Sequence, residues 1–255
     1  MSARNHAGHV VDQFGAQASA YVTSAVHAAG ADLDRIGALV RTLPGVRVLD
    51  LGCGGGHVAF AAAAAGAAVT AYDLSAEMLA AVTAEAGRRG LDRIETRQGA
   101  AETLPFPDAD FDAVLTRYSA HHWRDVPAAL AEARRVMKPE GLLVICDVVA
   151  PEEPLLDTHL QAVELLRDPS HVRDYRVSEW RRMLQTAGFN PGDTAAYRPR
   201  MDYASWIARM RTPEVNAAAI RALQASAPVE VAEHFAIEAD GSFLLDSVLI
   251  EARPR

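Results

Sequence analysis

The stretch Val48-Leu49-Asp50-Leu51-Gly52-Cys53-Gly54-Gly55-Gly56-His57 constrains this chain more than any other. An apolar strand runs directly into a cluster of glycines, with an acid at the junction. Glycine takes positive φ without penalty, so the backbone can turn tightly there and approach a charged ligand closely. Further along, the apolar run Ala68-Val69-Thr70-Ala71-Tyr72 ends in Asp73. A strand-end acid in that place can accept hydrogen bonds from ribose hydroxyls. The pair of segments points to a nucleoside-containing ligand held at the ends of strands. A tight turn alone would also use glycines, and Asp73 would also suit a helix start capped by Ser75.

The rest of the chain supplies the frame for such a site. Strands are expected over 46–50, 69–73, 94–98, 111–116 and 141–148. Helices are expected over 57–65, 76–89, 126–136 and 178–186, the second with Met78, Leu79 and Val82 on its apolar face. Alternating strands and helices give an α/β doubly wound, mostly parallel sheet. Residues 1–43 read as an N-terminal helical cap, with helical pieces at 14–21 and 32–43. The main domain, 44–255, is expected to carry helical insertions near 151–176 and 203–225. The tail is expected to close as a hairpin of strands 235–238 and 242–252, turned at Asp240-Gly241.

The ligand class follows from what the glycine loop lacks. A dinucleotide site needs G-x-G-x-x-G, and Gly52-Cys53-Gly54-Gly55-Gly56-His57 has no third glycine in register. An acid beside the loop would repel a pyrophosphate. The same acid suits S-adenosylmethionine, whose tail carries an ammonium that Asp50 can attract. Leu74 can lie against adenine, a backbone N–H at Ala101 can reach an adenine nitrogen, and Glu102 can take the exocyclic amine or remain a surface acid. Arg117, leaving the fourth strand, can neutralise Asp50 or Asp73, orient the cofactor carboxylate, or simply face solvent. Phe14, Gln17 and Tyr21 share one helical face.

Composition narrows the partners. The 255 residues carry a net charge of -8 and are 50% hydrophobic. That balance disfavours a nucleic-acid backbone, which needs a basic surface. No apolar run is long enough to span a membrane, and Met1-Ser2-Ala3-Arg4-Asn5-His6 lacks the apolar core of a signal peptide. The two cysteines, Cys53 and Cys146, form no framework and are expected to be reduced, as in a cytoplasmic protein. No metal is expected. Zinc held by His121, His122 and His171 is the rival reading, and adjacent histidines rarely face one ion.

With these parts in place, the sequence resembles the class I S-adenosylmethionine-dependent methyltransferases. Within them it looks like the small-molecule group that includes the ubiquinone/menaquinone biosynthesis methyltransferases. The glycine stretch carries the resemblance, together with Val69 through Leu79, Ala101-Glu102-Thr103-Leu104-Pro105-Phe106, Phe111-Asp112-Ala113-Val114, and Ala133 through Gly141. It is strong over 45–150 and extends to about 190. It implies a Rossmann-like seven-stranded sheet with an antiparallel last strand. It further implies that the loop of Asp50, Gly52, Cys53 and Gly54 holds the methionine part, that Asp73 holds the ribose, and that the Ala101-Glu102 loop meets adenine. Leu74 and Met78 complete the expected cofactor set. In related enzymes the N-terminal helix covers the cofactor tail, where the Tyr21 phenol would meet its carboxylate; core packing is the other option for Tyr21. The segment usual before the fifth strand departs here by carrying Glu140. The signature segments of the quinone enzymes are not intact, so their substrate is not carried over.

Methyl transfer from a sulfonium needs an in-line nucleophile in a dry, oriented site. A hydroxyl or acidic carbon must also lose a proton, and histidine is the side chain suited to that near neutral pH. His121 or His122, just beyond the fourth strand, is the expected base, with His171 a second candidate and Trp123 a wall. The expected acceptor is a small, partly apolar metabolite methylated at oxygen, carbon or nitrogen. RNA or protein methylation, and cofactor binding without catalysis, are the alternatives. Oligomeric state is open, with a homodimer as one arrangement.

Overall fold

The computed structural model describes residues 5–15, 30–43 and 45–255. The element order begins with α1 (His6–Gly15), α2 (Ala31–Arg41), β1 (Arg47–Leu51), α3 (His57–Ala64), β2 (Ala68–Asp73), α4 (Ala76–Arg89) and β3 (Ile94–Gln98). It continues with β4 (Phe111–Arg117), a 3-10 turn at Ala120–His122, α5 (Val126–Val136), β5 (Met137–Ala150) and α6 (Pro154–Arg167). Then come β6 (Tyr175–Arg176), α7 (Val177–Thr186), β7 (Phe189–Tyr197), β8 (Arg200–Met201), α8 (Tyr203–Met210), α9 (Glu214–Ala225), α10 (Val229–His234), β9 (Phe243–Leu244) and β10 (Ser247–Pro254).

The main sheet runs β3-β2-β1-β4-β5-β10-β7, with β6 added on β5. The β1, β2, β3, β4 and β5 pairings are parallel, and β10 runs antiparallel to both β5 and β7. This is the doubly wound sheet with an antiparallel last strand. Strand order reverses between β1 and β4, so a crevice opens beyond their carboxyl ends, where such sheets bind ligands.

Period-two alternation sets the two cores. Leu49, Val114, Leu143 and Ile145 face one side, against α5 and α7 with Leu130 and Trp180. Val48, Leu115, Val144 and Cys146 face the other, against Ile36 of α2, Phe60 of α3 and Val82 of α4. A third cluster sits beyond the carboxyl end of β5. There α6, α8, α9 and α10 bury Leu160, Trp206, Ile220 and Val231 against Val148 and Ala150.

The tail differs from the expected hairpin. Residues 235–238 form no strand, β9 pairs with β8, and β10 inserts between β5 and β7. The Asp240-Gly241 turn exists, but it joins a helix end to a short strand, closed by the Glu238 N–H on the Ser242 carbonyl at 2.8 Å. Strand β7 gave no sequence signal. It is an edge strand with Pro191 and Gly192 and a largely solvated burial pattern, all tolerated at an edge.

Candidate active site

Two cavities open at the carboxyl edge of the sheet. The first, about 340 Å³, lies over the glycine loop and the loops after β2, β3 and β4, and α1 covers it with His6, Ala7, Val10 and Phe14. The second, about 410 Å³, lies between β4 and β5 and the added helices. They share the walls Phe14, Arg117, Tyr118 and His122.

The first cavity is made largely by backbone. Gly52 has φ 71°, and a Cβ there would sit 1.9 Å from the Ser119 Oγ, so only glycine lets the β1 and β4 loops meet. Gly54, at φ 47°, would project a Cβ into open space. Its N–H donates to Asp73 Oδ2 at 2.8 Å, while the Ser75 N–H donates to Asp73 Oδ1 at 2.9 Å. Asp73 thus ties the glycine loop to the start of α4, where the Ser75 Oγ accepts from the Met78 N–H at 3.2 Å. Burial pushes the Asp73 carboxyl up, against the pull of these backbone donors.

Asp50 is 1% exposed. Its Oδ2 accepts from the Ala59 N–H at 2.9 Å, satisfying a donor in the first turn of α3. Burial pushes its carboxyl up to about 7; the Ala59 hydrogen bond opposes this, the Asp73 charge adds to it, and Arg117 opposes it. Cys53 is buried and its thiol is pushed up by burial, then by the charges of Asp73 and Asp50. Leu74, Met78 and Ala101 also line this cavity. Glu102 lines it too, and its Oε1 accepts from the Arg124 N–H at 3.0 Å and the Asp125 N–H at 3.4 Å. Arg117 lies between the cavities, but it pairs with neither Asp50 nor Asp73. Its Nε meets Asp32 Oδ2 at 2.6 Å, with both side chains buried. Gln17 and Tyr21 fall outside the described residues.

The three histidines have three different environments. His121 borders only the second cavity, and its Nδ1 lies 2.6 Å from Asp147 Oδ1. Asp147 also accepts from the Ala120 and Val148 N–H groups, each at 2.8 Å. Burial pulls the His121 imidazole down, but the Asp147 charge and hydrogen bond, then Asp174 and Glu164, raise it to about 9. It is an imidazolium at neutral pH, with no lone pair to take a proton.

His122 stands on the wall common to both cavities. Its Nδ1 lies 3.1 Å from the Ser170 carbonyl. A carbonyl only accepts, so Nδ1 carries the hydrogen and Nε2 keeps a lone pair. Asp168 Oδ2 is 4.0 Å from that Nε2. Burial, then the His121 charge, holds the His122 imidazole well below its ordinary value. Phe14 packs on it at 4.9 Å between ring centroids.

His171 borders neither cavity. Its Nε2 meets the Gln161 Oε1 at 3.0 Å, inside the loop after α6. The expectation that it faces the site is therefore corrected. The insertion folds inward at this point and buries the ring as packing, and burial pushes its imidazole down. Among the described residues, no three His, Cys, Asp or Glu side chains converge as a metal site.

Sequence reasoning missed Asp32, Asp147, Asp168 and Asp174. Asp147 did leave a signal: it is a single acid inside the apolar run from Leu142 to Ala150. Asp32 read as an ordinary first-turn acid of α2, and nothing local links it to Arg117.

A family model described as a methyltransferase domain matches residues 49–145. YafE of Escherichia coli (strain K12), an uncharacterized protein, is 48% identical over 197 residues, covering 77% of this chain and 95% of YafE. The uncharacterized methyltransferase YcgJ of Bacillus subtilis is 37% identical over 200 residues, 78% of this chain and 79% of YcgJ. The YcgJ crystal structure superposes with a TM-score of 0.82 over 87% of this chain and 98% of that one, at 34% identity. A demethylmenaquinone methyltransferase of Clavibacter sepedonicus is 40% identical over 131 residues, 49% of this chain and 51% of that protein. No described helix is long and apolar enough to cross a membrane. The chain belongs to the class I S-adenosylmethionine-dependent methyltransferases.

Proposed function

We propose that the chain methylates a small, partly apolar metabolite, at oxygen, carbon or nitrogen, seated in the second cavity. One observation carries this reading: a cavity of about 410 Å³ adjoins the glycine-loop cavity through a common wall that includes His122. Its size suits a small molecule. Trp206, Met210 and Leu245 give it an apolar side, and its charged side chains give it polar groups to orient a ligand.

The residues of the first cavity fit the cofactor. Positive φ at Gly52 and Gly54 brings the backbone to the cavity, and a side chain at Gly54 would intrude on it. Asp50 holds the ammonium of the amino-acid tail, and Asp73 accepts from the ribose hydroxyls on the lone pairs its backbone donors leave. Leu74, Met78 and Ala101 would enclose the adenine, and Glu102 fixes the loop beside them. Phe14 of α1 closes over the cavity. The bound cofactor supplies an electrophilic sulfonium methyl.

The chain then has to orient the acceptor, exclude water and provide for the proton. The His122 Nε2 accepts a hydrogen bond from the acceptor's nucleophilic group. Its depressed basicity makes it an orienting acceptor more than a strong base, because a second cation beside the His121 imidazolium is unfavourable. Asp168, 4.0 Å away, offsets charge that develops there. His121 and Asp147 hold the turn that carries His122.

Extracted metabolites offered with an isotopically labelled methyl donor will identify the acceptor. With it, His122→Gln should lower kcat by about tenfold or more and leave S-adenosylhomocysteine affinity within about twofold. Unchanged kcat in a folded His122→Gln protein would remove His122 from the chemistry. Label found in protein or RNA alone would overturn the small-molecule reading.

A further inference from the structure

Among the described residues, neither carboxyl oxygen of Asp174 makes a hydrogen bond, although its side chain is only 1% exposed and it borders the second cavity. A buried carboxyl left this way costs free energy, and buried polar groups are nearly always satisfied. A ligand is the natural source of the missing partner.

The charges of that cavity indicate which kind of ligand. Arg117 is paired with Asp32, Arg167 with Glu164 at 3.3 Å, Arg198 with Asp246 at 2.8 Å, and His121 with Asp147. The acids without a cationic partner among the described residues are Asp168, beside the neutral His122, and Asp174. In its own loop, the His171 Nε2 lies 3.9 Å from Asp174 and donates to Gln161 instead. Around it stand Glu164 and Arg167 of α6, Asp147 of β5 and His121 of the 3-10 turn, with Arg209 of α8 on the same cavity. An anionic ligand group would meet two acids that have no cationic partner. A neutral hydroxyl has one hydrogen to donate and would satisfy one oxygen. An ammonium has three, and its charge favours the ionised carboxylate that accepts them.

We infer that Asp174 anchors a protonated amine on the methyl acceptor, so that the acceptors are small amines with a partly apolar body. This rests on the reading that the second cavity holds the acceptor. Asp174 is not among the four residues common to both cavities, so the anchored nitrogen sits away from the methyl donor. An ammonium has no lone pair, and the methylated atom is a different one on the same molecule. Burial, then the Glu164 charge, raises the empty Asp174 carboxyl well above its usual range. Pairing with an ammonium reverses this, and the Asp174 proton leaves to solvent.

The test uses the full chain saturated with S-adenosylhomocysteine. Calorimetry compares a panel of arylalkylamines, among them phenethylamine and tryptamine, with their matched alcohols and carboxylates. The amines should bind, and each matched alcohol or carboxylate should bind about tenfold more weakly or worse. Amine binding should strengthen as pH rises and release a proton, read from buffers of different ionisation heat. Asp174→Asn should weaken the amines about 10- to 100-fold and leave the alcohols within about twofold. Preference for alcohols or carboxylates, a panel with no amine binder, or equal amine affinity in the variant would overturn the inference. If Asp174→Asn does not fold, as judged by its melting curve and S-adenosylhomocysteine affinity, proton release by the unmodified protein decides. Amine binding without proton release or pH dependence also overturns it. Methylation of a small non-amine in this cavity would defeat the anchor while leaving the proposed function standing.

Discussion

The two cavities share four residues, but they are built on different terms. The first draws its walls from segments close together in sequence, from Asp50 to Arg124, plus one face of α1. Its contacts are largely backbone: glycine turns, N–H groups on Asp73, and an N–H on Asp50. The second gathers residues from Phe14 to Ser247, with ion pairs linking distant elements such as Arg117 and Asp32. Backbone geometry of the first kind tolerates few residue types, so a fixed cofactor suits it. Side-chain walls of the second kind change one residue at a time, so one fold can serve many acceptors.

The strongest way to break this contrast is at Gly52. Valine there meets both a positive φ and the Ser119 side chain. Gly52→Val should cost on the order of 3 kcal/mol in stability. It should also weaken S-adenosylhomocysteine more than about 100-fold. Melting curves and calorimetry check both effects, and retained cofactor affinity would mean the backbone does not shape the first cavity.

Asp73→Ala should follow. It removes the proposed ribose acceptor and strands the Gly54 and Ser75 N–H groups. We expect cofactor binding to weaken by about 1.5–3 kcal/mol, the scale of hydrogen bonds to a charged group. An unchanged affinity in a folded protein would limit Asp73 to tying the glycine loop to α4.

The smallest effect is expected at His171, which tests whether the second cavity stops where its lining ends. Glutamine can retain a bond to Gln161, so His171→Gln should cost about 1 kcal/mol in stability and leave kcat within about twofold. A large fall in kcat with unchanged stability would extend the site into that loop.

The same contrast governs what could be read in advance. The glycine loop, Asp73 and the alternation of strands and helices are local patterns, and each implies its geometry through φ preference and side-chain period. They determined the doubly wound sheet and its cofactor, and they pointed to the candidate site beyond β1 and β4. The run 119–123 also put histidines beside that site. What separates these histidines was not legible there, because adjacent residues differ only in what distant segments bring to them. Asp147 arrives from β5 to charge His121, and Ser170 arrives from the loop after α6 to fix the His122 tautomer. Asp32 captures Arg117 from across the sheet edge, and β10 enters between β5 and β7 instead of folding on 235–238. Partners far apart in sequence leave no periodic trace, and electrostatic environment depends on distance in space. Sequence alone therefore determined the fold and the methyl donor. Only the tertiary structure decided the surroundings of His121, His122 and His171, the burial of Asp174 without a hydrogen bond among the described residues, and the shape of the second cavity.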